Sequence, residues 1–148
     1  AQLESEDATL NIERKRAKLG KVPIISRTIP LEVKVLDEED IKKLNVTVWE
    51  MDKPSDLIQE WWSIDDSERK SRIADPFGVV MWPGSILAST QLIKKHYSSQ
   101  VSPLENATVL VLGAGTGVEA QTAALLGASK VVATDISPLT LKYHINHR

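Results

Sequence analysis

Hydrophobic and polar positions follow their most regular pattern in the second half of this chain. Residues 109–112 are four branched apolar residues in a row, which predicts a buried strand. Residues 118–126 have the spacing of a helix, and residues 130–134 form a second, mostly apolar run. This order of strand, helix and strand predicts two parallel strands joined by a crossover helix, as in a doubly wound α/β sheet.

The turn between the first strand and the helix is rich in glycine. Gly113, Gly115 and Gly117 allow the backbone to turn tightly beside a ligand, and Asp135 directly follows the second strand. The carboxyl ends of parallel strands form the ligand crevice of such a sheet, so we expect the glycine loop and Asp135 to contact one small molecule. Asp135 is suited to accept both hydroxyl groups of a ribose, and equally to cap a helix that begins near Pro138.

The spacing of the glycines bears on the identity of the ligand. A dinucleotide-binding loop has the pattern G-x-G-x-x-G and holds a pyrophosphate at the helix N-terminus. Here the third glycine comes one residue earlier, which gives G-x-G-x-G. This form is typical of S-adenosylmethionine-dependent methyltransferases, and it favours a methyl donor over a nicotinamide cofactor or a turn without a ligand.

A second block, residues 78–89, precedes the loop and leads into an amphipathic helix through Lys95. Its G-x-x-x-W stretch, followed by the L-G-A-G-T-G loop, resembles the seven-β-strand methyltransferases, and in particular the family 16 protein-lysine methyltransferases. The resemblance covers residues 78–148. It implies a Rossmann-like methyltransferase fold, S-adenosyl-L-methionine as the cofactor and a protein as the substrate.

The resemblance also implies roles for individual residues. It places Trp82 against the cofactor and makes Ile136 an apolar neighbour of the adenine. It implies that Asp135 binds the ribose of the cofactor. It also implies that the loop around the methionine part of the cofactor consists of Gly113, Gly115, Thr116 and Gly117. Judged by its residue type alone, Trp82 is also suited to fill the core, because tryptophan is a large apolar side chain.

Two features leave an alternative function open. The family usually has Glu or Asp two residues before the first glycine, where this chain has Val111. The family's substrate-facing and catalytic motifs fall on later strands than the two predicted here, so the catalytic residues are unknown. The alternative is a non-catalytic, methyltransferase-like scaffold or a subunit of a larger protein assembly. In either case we expect further chain or a partner to complete the sheet.

Composition changes near residue 75. Residues 1–75 hold 17 of the 20 acidic residues and 13 of the 18 basic ones, while six of the seven glycines follow residue 77. We therefore predict an N-terminal α+β extension over residues 1–75 and, over residues 76–148, the first half of a Rossmann-like domain.

Short elements are predicted within the extension. Residues 12–19 are expected to form a basic helix that ends at Gly20, and residues 24–28 and 31–35 two strands interrupted by Pro30. Residues 41–45 follow the acidic run 37–40, which predicts a short helix, or alternatively an acidic patch for a basic protein substrate. Residues 46–50 should form a hairpin with residues 31–35. Ser55 should cap a helix through Trp62, with Trp61 and Trp62 on different sides of it.

Charge and composition exclude some functions. A net charge of −2 gives no general attraction to nucleic acid, and no apolar stretch is long enough to span a membrane. The absence of cysteine excludes disulfides and Cys-ligated metal, and we predict no metal site. The chain begins with Ala1, so a cytoplasmic location and an organellar one after removal of a transit segment both stay open.

Overall fold

A computed structural model describes residues 15–19, 22–35, 40–63, 76–137 and 140–141. These residues form a three-stranded antiparallel sheet, helices, and a two-stranded parallel sheet. This mixed architecture is compatible with the predicted methyltransferase fold. In the described part of the chain, no helix has the length and apolar character needed to cross a membrane.

The antiparallel sheet has the order β1-β2-β3, with β1 at Arg16–Leu19, β2 at Val22–Lys34 and β3 at Ile41–Met51. The helix predicted over residues 12–19 is therefore wrong for its described part, because residues 16–19 pair with residues 22–25. Helix propensity over so few residues is weak, and the hydrogen bonds of a neighbouring strand override it. Residues 12–14 lie outside the described residues.

The helix predicted over residues 41–45 is also wrong. These residues are the first part of β3, and their side chains alternate between exposed and half-buried, which is the period of a strand. They pair with residues 30–34 of β2, and this long ladder outweighs the favourable order of charges along a helix. Of the acidic run, residues 37–39 lie outside the described residues.

The predicted hairpin exists, but its register differs from the prediction. Residues 46–50 pair with residues 25–29, not with residues 31–35. Pro30 does not interrupt β2, because the pairing of β1 ends at Ile25 and the described part of the chain places no strand beside Pro30 on that side. Proline is tolerated at such an edge, where no partner strand needs its missing N–H.

The helices and the parallel sheet follow. Helix α1 is Pro54–Ser63, a 3-10 turn covers Pro76–Val79, α2 is Pro83–Ser98, β4 is Thr108–Leu112, α3 is Val118–Leu125, and β5 is Lys130–Thr134. The strand, helix and strand predicted in this region are confirmed within one residue, and β4 and β5 are parallel. The predicted burial of residues 109–112 is wrong, because their side chains alternate between half-buried and exposed. Ser55 lies inside α1 rather than at its cap, because Pro54 already has the backbone angle that starts a helix.

One hydrophobic core joins the two predicted regions. Leu31 and Val46 of the antiparallel sheet pack in the same buried cluster as Ile93 of α2 and Val118 of α3. Gln121 of α3 adds a polar link, since its side-chain amide accepts the N–H of Thr47 and donates to the Thr47 carbonyl, at 3.1 and 2.8 Å. The sheet therefore packs against the helix that follows the glycine loop.

One face of the parallel sheet is apolar and exposed. Leu110 and Leu112 of β4 are 60% and 74% exposed, and Val132 of β5 is 37% exposed. Val109 points to the opposite face and packs against the core cluster. Parallel sheets are normally covered on both faces, and α3, which packs against β4 and β5, provides the layer on one of them.

Candidate functional site

Three glycines fix the loop between β4 and α3. The φ angles of Gly113, Gly115 and Gly117 are 65°, 51° and 79°, a region that side chains strongly disfavour. Ala114 N–H donates to the Thr134 carbonyl at 2.9 Å, which continues the ladder of the parallel strands into the loop. The loop is therefore anchored to the end of β5.

Asp135 lies directly against this loop. Its Oδ2 accepts the N–H of Gly115 at 2.9 Å, and its Oδ1 accepts the N–H of Ser137 at 2.9 Å. The carboxylate and the glycine loop are therefore in direct contact, and the small molecule that both are expected to bind stays a prediction. A carboxylate accepts about four hydrogen bonds, so both oxygens retain capacity for further donors. The bond to Ser137 is a local turn of the type aspartate often makes, and it is compatible with a capping role as well.

Space beside the loop is open at one glycine and limited at another. A Cβ atom at Gly113 would have nothing within 4 Å, and at Gly115 it would meet the Gly78 carbonyl oxygen at 3.7 Å. Thr116, in the same loop, is buried. The loop therefore offers its backbone and an open volume at Gly113, which fits a small molecule resting on glycine.

The 3-10 turn Pro76–Val79 closes the other side of the site. A Cβ atom at Gly78 would lie 2.5 Å from Thr140 Oγ1 and 3.6 Å from Asp135 Oδ1, so only glycine permits this close approach. The sequence pattern includes Gly78 as the first letter of G-x-x-x-W but assigns it no role. In the structure, Gly78 is the residue of this turn that lies against Asp135 and Thr140.

Two buried hydroxyl groups lie in the same place. Ser137 and Thr140 are each 1% exposed, and within the described ranges neither side-chain oxygen has a hydrogen-bond partner. Buried polar groups are usually paired, and unpaired ones are concentrated at sites with a further role. Sequence reasoning missed both residues, because single hydroxyl side chains after a strand carry no distinctive signal.

Trp82 and Ile136 are both exposed. Trp82 is 47% exposed at the N-terminus of α2; its Nε1 donates to the Phe77 carbonyl at 3.0 Å, and its ring centroid is 6.1 Å from that of Phe77. Ile136 is 91% exposed beside Asp135. Such exposure does not support the interpretation of Trp82 as a core aromatic. It leaves both apolar side chains accessible to a ligand.

The aromatic contacts extend to α1. Trp62 is 64% exposed, and its ring meets the Phe77 ring edge to face with centroids 6.5 Å apart. The side chain of Trp61 lies outside the described residues, so the predicted division of roles between the two tryptophans stays a prediction.

A further side chain that sequence reasoning missed is Glu50, which is only 7% exposed. Its Oε1 lies 2.6 Å from Arg27 Nε, and its Oε2 accepts the N–H of Met81 at 3.2 Å. A signal was present, because alternation along β3 puts Glu50 on the same face as the buried Val46 and Val48. The site is thus linked to the N-terminal sheet.

Val111 lies where a carboxylate is usual in the resembled family. It is half-buried in β4 opposite Ala133, and its carbonyl accepts the Thr134 hydroxyl at 3.2 Å. β4 therefore presents no acidic side chain to the loop at this position.

One known protein family is similar to part of this chain. The family model of the ribosomal protein L11 methyltransferase (PrmA) matches residues 88–146, which include most of α2, the glycine loop and Asp135. This segment of the chain is similar to S-adenosylmethionine-dependent protein methyltransferases. The resemblance predicted from the sequence is confirmed over the matched residues.

Individual relatives narrow the similarity to lysine methyltransferases. Over 79 residues the chain is 33% identical to the electron transfer flavoprotein beta subunit lysine methyltransferase of Mus musculus, which covers 53% of this chain and 28% of that protein. The same enzyme of Homo sapiens is 32% identical over 79 residues, or 53% of this chain and 27% of the human protein. The match thus spans little more than a quarter of the length of these curated relatives. No solved structure gave a significant match.

Proposed function

We propose that this chain provides the cofactor-binding part of an S-adenosyl-L-methionine-dependent protein-lysine methyltransferase. The observation that carries the proposal is the 2.9 Å contact between Asp135 Oδ2 and Gly115 N–H, which joins an acid and a glycine loop at the ends of two parallel strands. The carboxyl ends of such strands are where this class of fold binds ligands. The similarity of residues 88–146 to protein methyltransferases points to the same ligand.

S-adenosyl-L-methionine supplies a methyl group on a positively charged sulfur, and a neutral amine held in line can accept it. In the proposal, Asp135 binds the ribose hydroxyls with its remaining acceptor capacity, Ile136 lies beside the adenine and Trp82 lies against the cofactor. The backbone around the methionine part is provided by Gly113, Gly115, Thr116 and Gly117. The catalytic residues are not among those assigned here.

The substrate class follows from the relatives. Their name describes a lysine methyltransferase acting on the electron transfer flavoprotein beta subunit. For this chain we propose only the shared chemistry, which is transfer to a lysine side chain of a protein. The partner implied is therefore a protein substrate.

Calorimetry with S-adenosyl-L-methionine tests the cofactor, using the complete polypeptide that carries these residues. We expect saturable binding of one cofactor, and Asp135→Ala should weaken it at least about tenfold, because about 1.4 kcal/mol corresponds to that factor. Asp56→Ala is the matched control, since Asp56 is an exposed acid on α1. Absence of saturable binding by the unmodified protein would exclude the proposal, and unchanged binding by Asp135→Ala would remove the ribose role.

A second candidate function is a non-catalytic scaffold or subunit with a methyltransferase-like fold. Val111 favours it, because an apolar side chain there cannot offset the ammonium group of the cofactor. Binding and methyl-transfer assays distinguish the enzyme from the scaffold. An enzyme binds the cofactor and transfers its methyl group to protein, whereas a scaffold does neither and is recovered in a stable complex.

A further inference from the structure

Glu50 is a charged residue at a position that faces the core. Val46, Val48 and Glu50 share one face of β3, and each is at most 7% exposed. A buried carboxylate is costly unless opposite charge or hydrogen-bond donors compensate it. The partners of Glu50 therefore explain why a glutamate is tolerated there.

The two carboxylate oxygens of Glu50 face two different parts of the molecule. Oε1 lies 2.6 Å from Nε of Arg27, which is on the neighbouring strand β2 opposite Val48. This is a diagonal pair on one face of a sheet, held by charge rather than by a well-aligned hydrogen bond. Oε2 leaves the sheet and accepts the N–H of Met81, 31 residues further along the chain.

Met81 lies in the short segment between Gly78 and Trp82, which both belong to the candidate site. Three residues before it, Gly78 approaches Gly115 and Asp135; directly after it comes Trp82, the N-cap of α2. The N–H of Met81 precedes the helix, so it needs an acceptor from elsewhere. Glu50 is that acceptor, and it fixes where residues 78–82 lie.

We propose that Glu50 is a positioning residue of the cofactor site, which holds residues 78–82 against the glycine loop from the N-terminal sheet. Arg27 holds the carboxylate in place through the 2.6 Å ion pair, and Glu50 itself touches no cofactor. The part of this proposal that concerns the cofactor rests on the proposed function. The positioning of residues 78–82 does not, and it can be measured without any ligand.

The test is Glu50→Gln in the complete polypeptide. The amide keeps the size of the side chain but loses the charge that faces Arg27 and has one acceptor oxygen in place of two. We expect hydrogen exchange in residues 78–82 to become about tenfold faster, since a hydrogen bond to a charged group is strong. We expect the Kd for S-adenosyl-L-methionine to rise by a similar factor.

Two control variants separate positioning from general loss of stability. Glu32→Gln breaks an exposed ion pair with Lys43 at 2.7 Å on the same hairpin and should leave both readouts unchanged. Val33→Ala opens a cavity in the core at a residue paired with Lys42, eight positions along β3 from Glu50, or roughly 25 Å. It should lower the melting temperature without selectively accelerating exchange in residues 78–82.

If Glu50→Gln does not fold, Glu50→Asp replaces it. The shorter side chain keeps its charge beside Arg27 but withdraws the carboxylate from Met81 by about one carbon–carbon bond, or ~1.5 Å. The same selective rise in exchange is expected. Recovery of wild-type exchange in Glu50→Asp would show that the contact with Met81 is not needed and would overturn the proposal.

The outcomes distinguish the two proposals. If Glu50→Gln selectively accelerates hydrogen exchange in residues 78–82 and also raises the Kd for S-adenosyl-L-methionine, both the positioning role and the proposed function are supported. Selective exchange in a protein whose unmodified form binds no cofactor leaves the positioning in place and removes the proposed function. If the exchange in Glu50→Gln does not differ from that in Val33→Ala, the positioning role is overturned, whatever happens to the Kd.

Discussion

At the scale of single residues, the site depends on one carboxylate and one glycine in direct contact with neighbouring segments. Asp135 uses each oxygen for one backbone N–H, so it shapes the glycine loop before any ligand arrives. Gly78 has the opposite property, because its lack of a side chain lets two segments approach. A site that is formed before binding loses less ordering entropy when the ligand arrives.

Gly78→Ala tests this close approach. The added Cβ would lie 2.5 Å from Thr140 Oγ1, so we expect the free energy of unfolding to fall by about 1–3 kcal/mol and cofactor binding to weaken. Gly84→Ala is the control, since a Cβ there meets nothing within 4 Å and the residue lies in α2. It should be neutral or stabilise by up to about 1 kcal/mol. Equal effects of the two variants in chemical denaturation would contradict the close approach.

At the scale of elements, the exposed edge of β3 meets the helix that follows the glycine loop. The Gln121 amide pairs with both backbone groups of Thr47 and so replaces a neighbouring strand over one residue. This contact joins α3 to the antiparallel sheet and orients the helix relative to it.

Gln121→Ala removes this pairing. Both Thr47 groups then bond to water, so we expect the free energy of unfolding to fall by about 1 kcal/mol, the net value of one or two exposed hydrogen bonds. Gln91→Ala, on the exposed surface of α2, should have no such effect. Urea denaturation of both variants makes the comparison, and an equally small change in both would show that the amide pairing contributes nothing.

At the scale of the whole molecule, the N-terminal sheet and the unit that carries the glycine loop share one core. Leu31 of β2 is fully buried in the cluster that contains Ile93 and Val118. Composition divides the chain near residue 75, but side chains from both sides of this boundary pack in one hydrophobic cluster. The sheet and the helices around the loop should therefore unfold together.

Leu31→Ala examines that cooperativity. A buried leucine replaced by alanine typically costs about 2–5 kcal/mol, and we expect the loss to appear in a single transition that includes α3. Ile41→Ala is the control, because Ile41 is 61% exposed on the same hairpin. Circular dichroism and hydrogen exchange measure the effect; a sheet that melts while α3 stays protected would show two independent units.

Much of the parallel unit could be predicted, and much of the extension could not. Residues 109–112 and 130–134 were assigned correctly as strands because each run is short, rich in branched apolar residues and close to a glycine. Residues 41–45 carry both a helix-like charge order and a strand-like alternation, and only the pairing with β2 decided between them. The predicted register of the hairpin was wrong for the same reason, because the register of a strand depends on its partner strand.

The sequence by itself determined the order of strand, glycine loop, helix, strand and acid, on which the proposed class of ligand rests. These features are local, because a few neighbouring residues fix the backbone angles and the apolar period. Only the tertiary structure decided that Glu50 reaches Met81 across 31 residues, and that Gly78 contacts the Asp135 segment. Such contacts depend on the path of the chain between distant residues, because packing over a shared core brings them together and local preference does not.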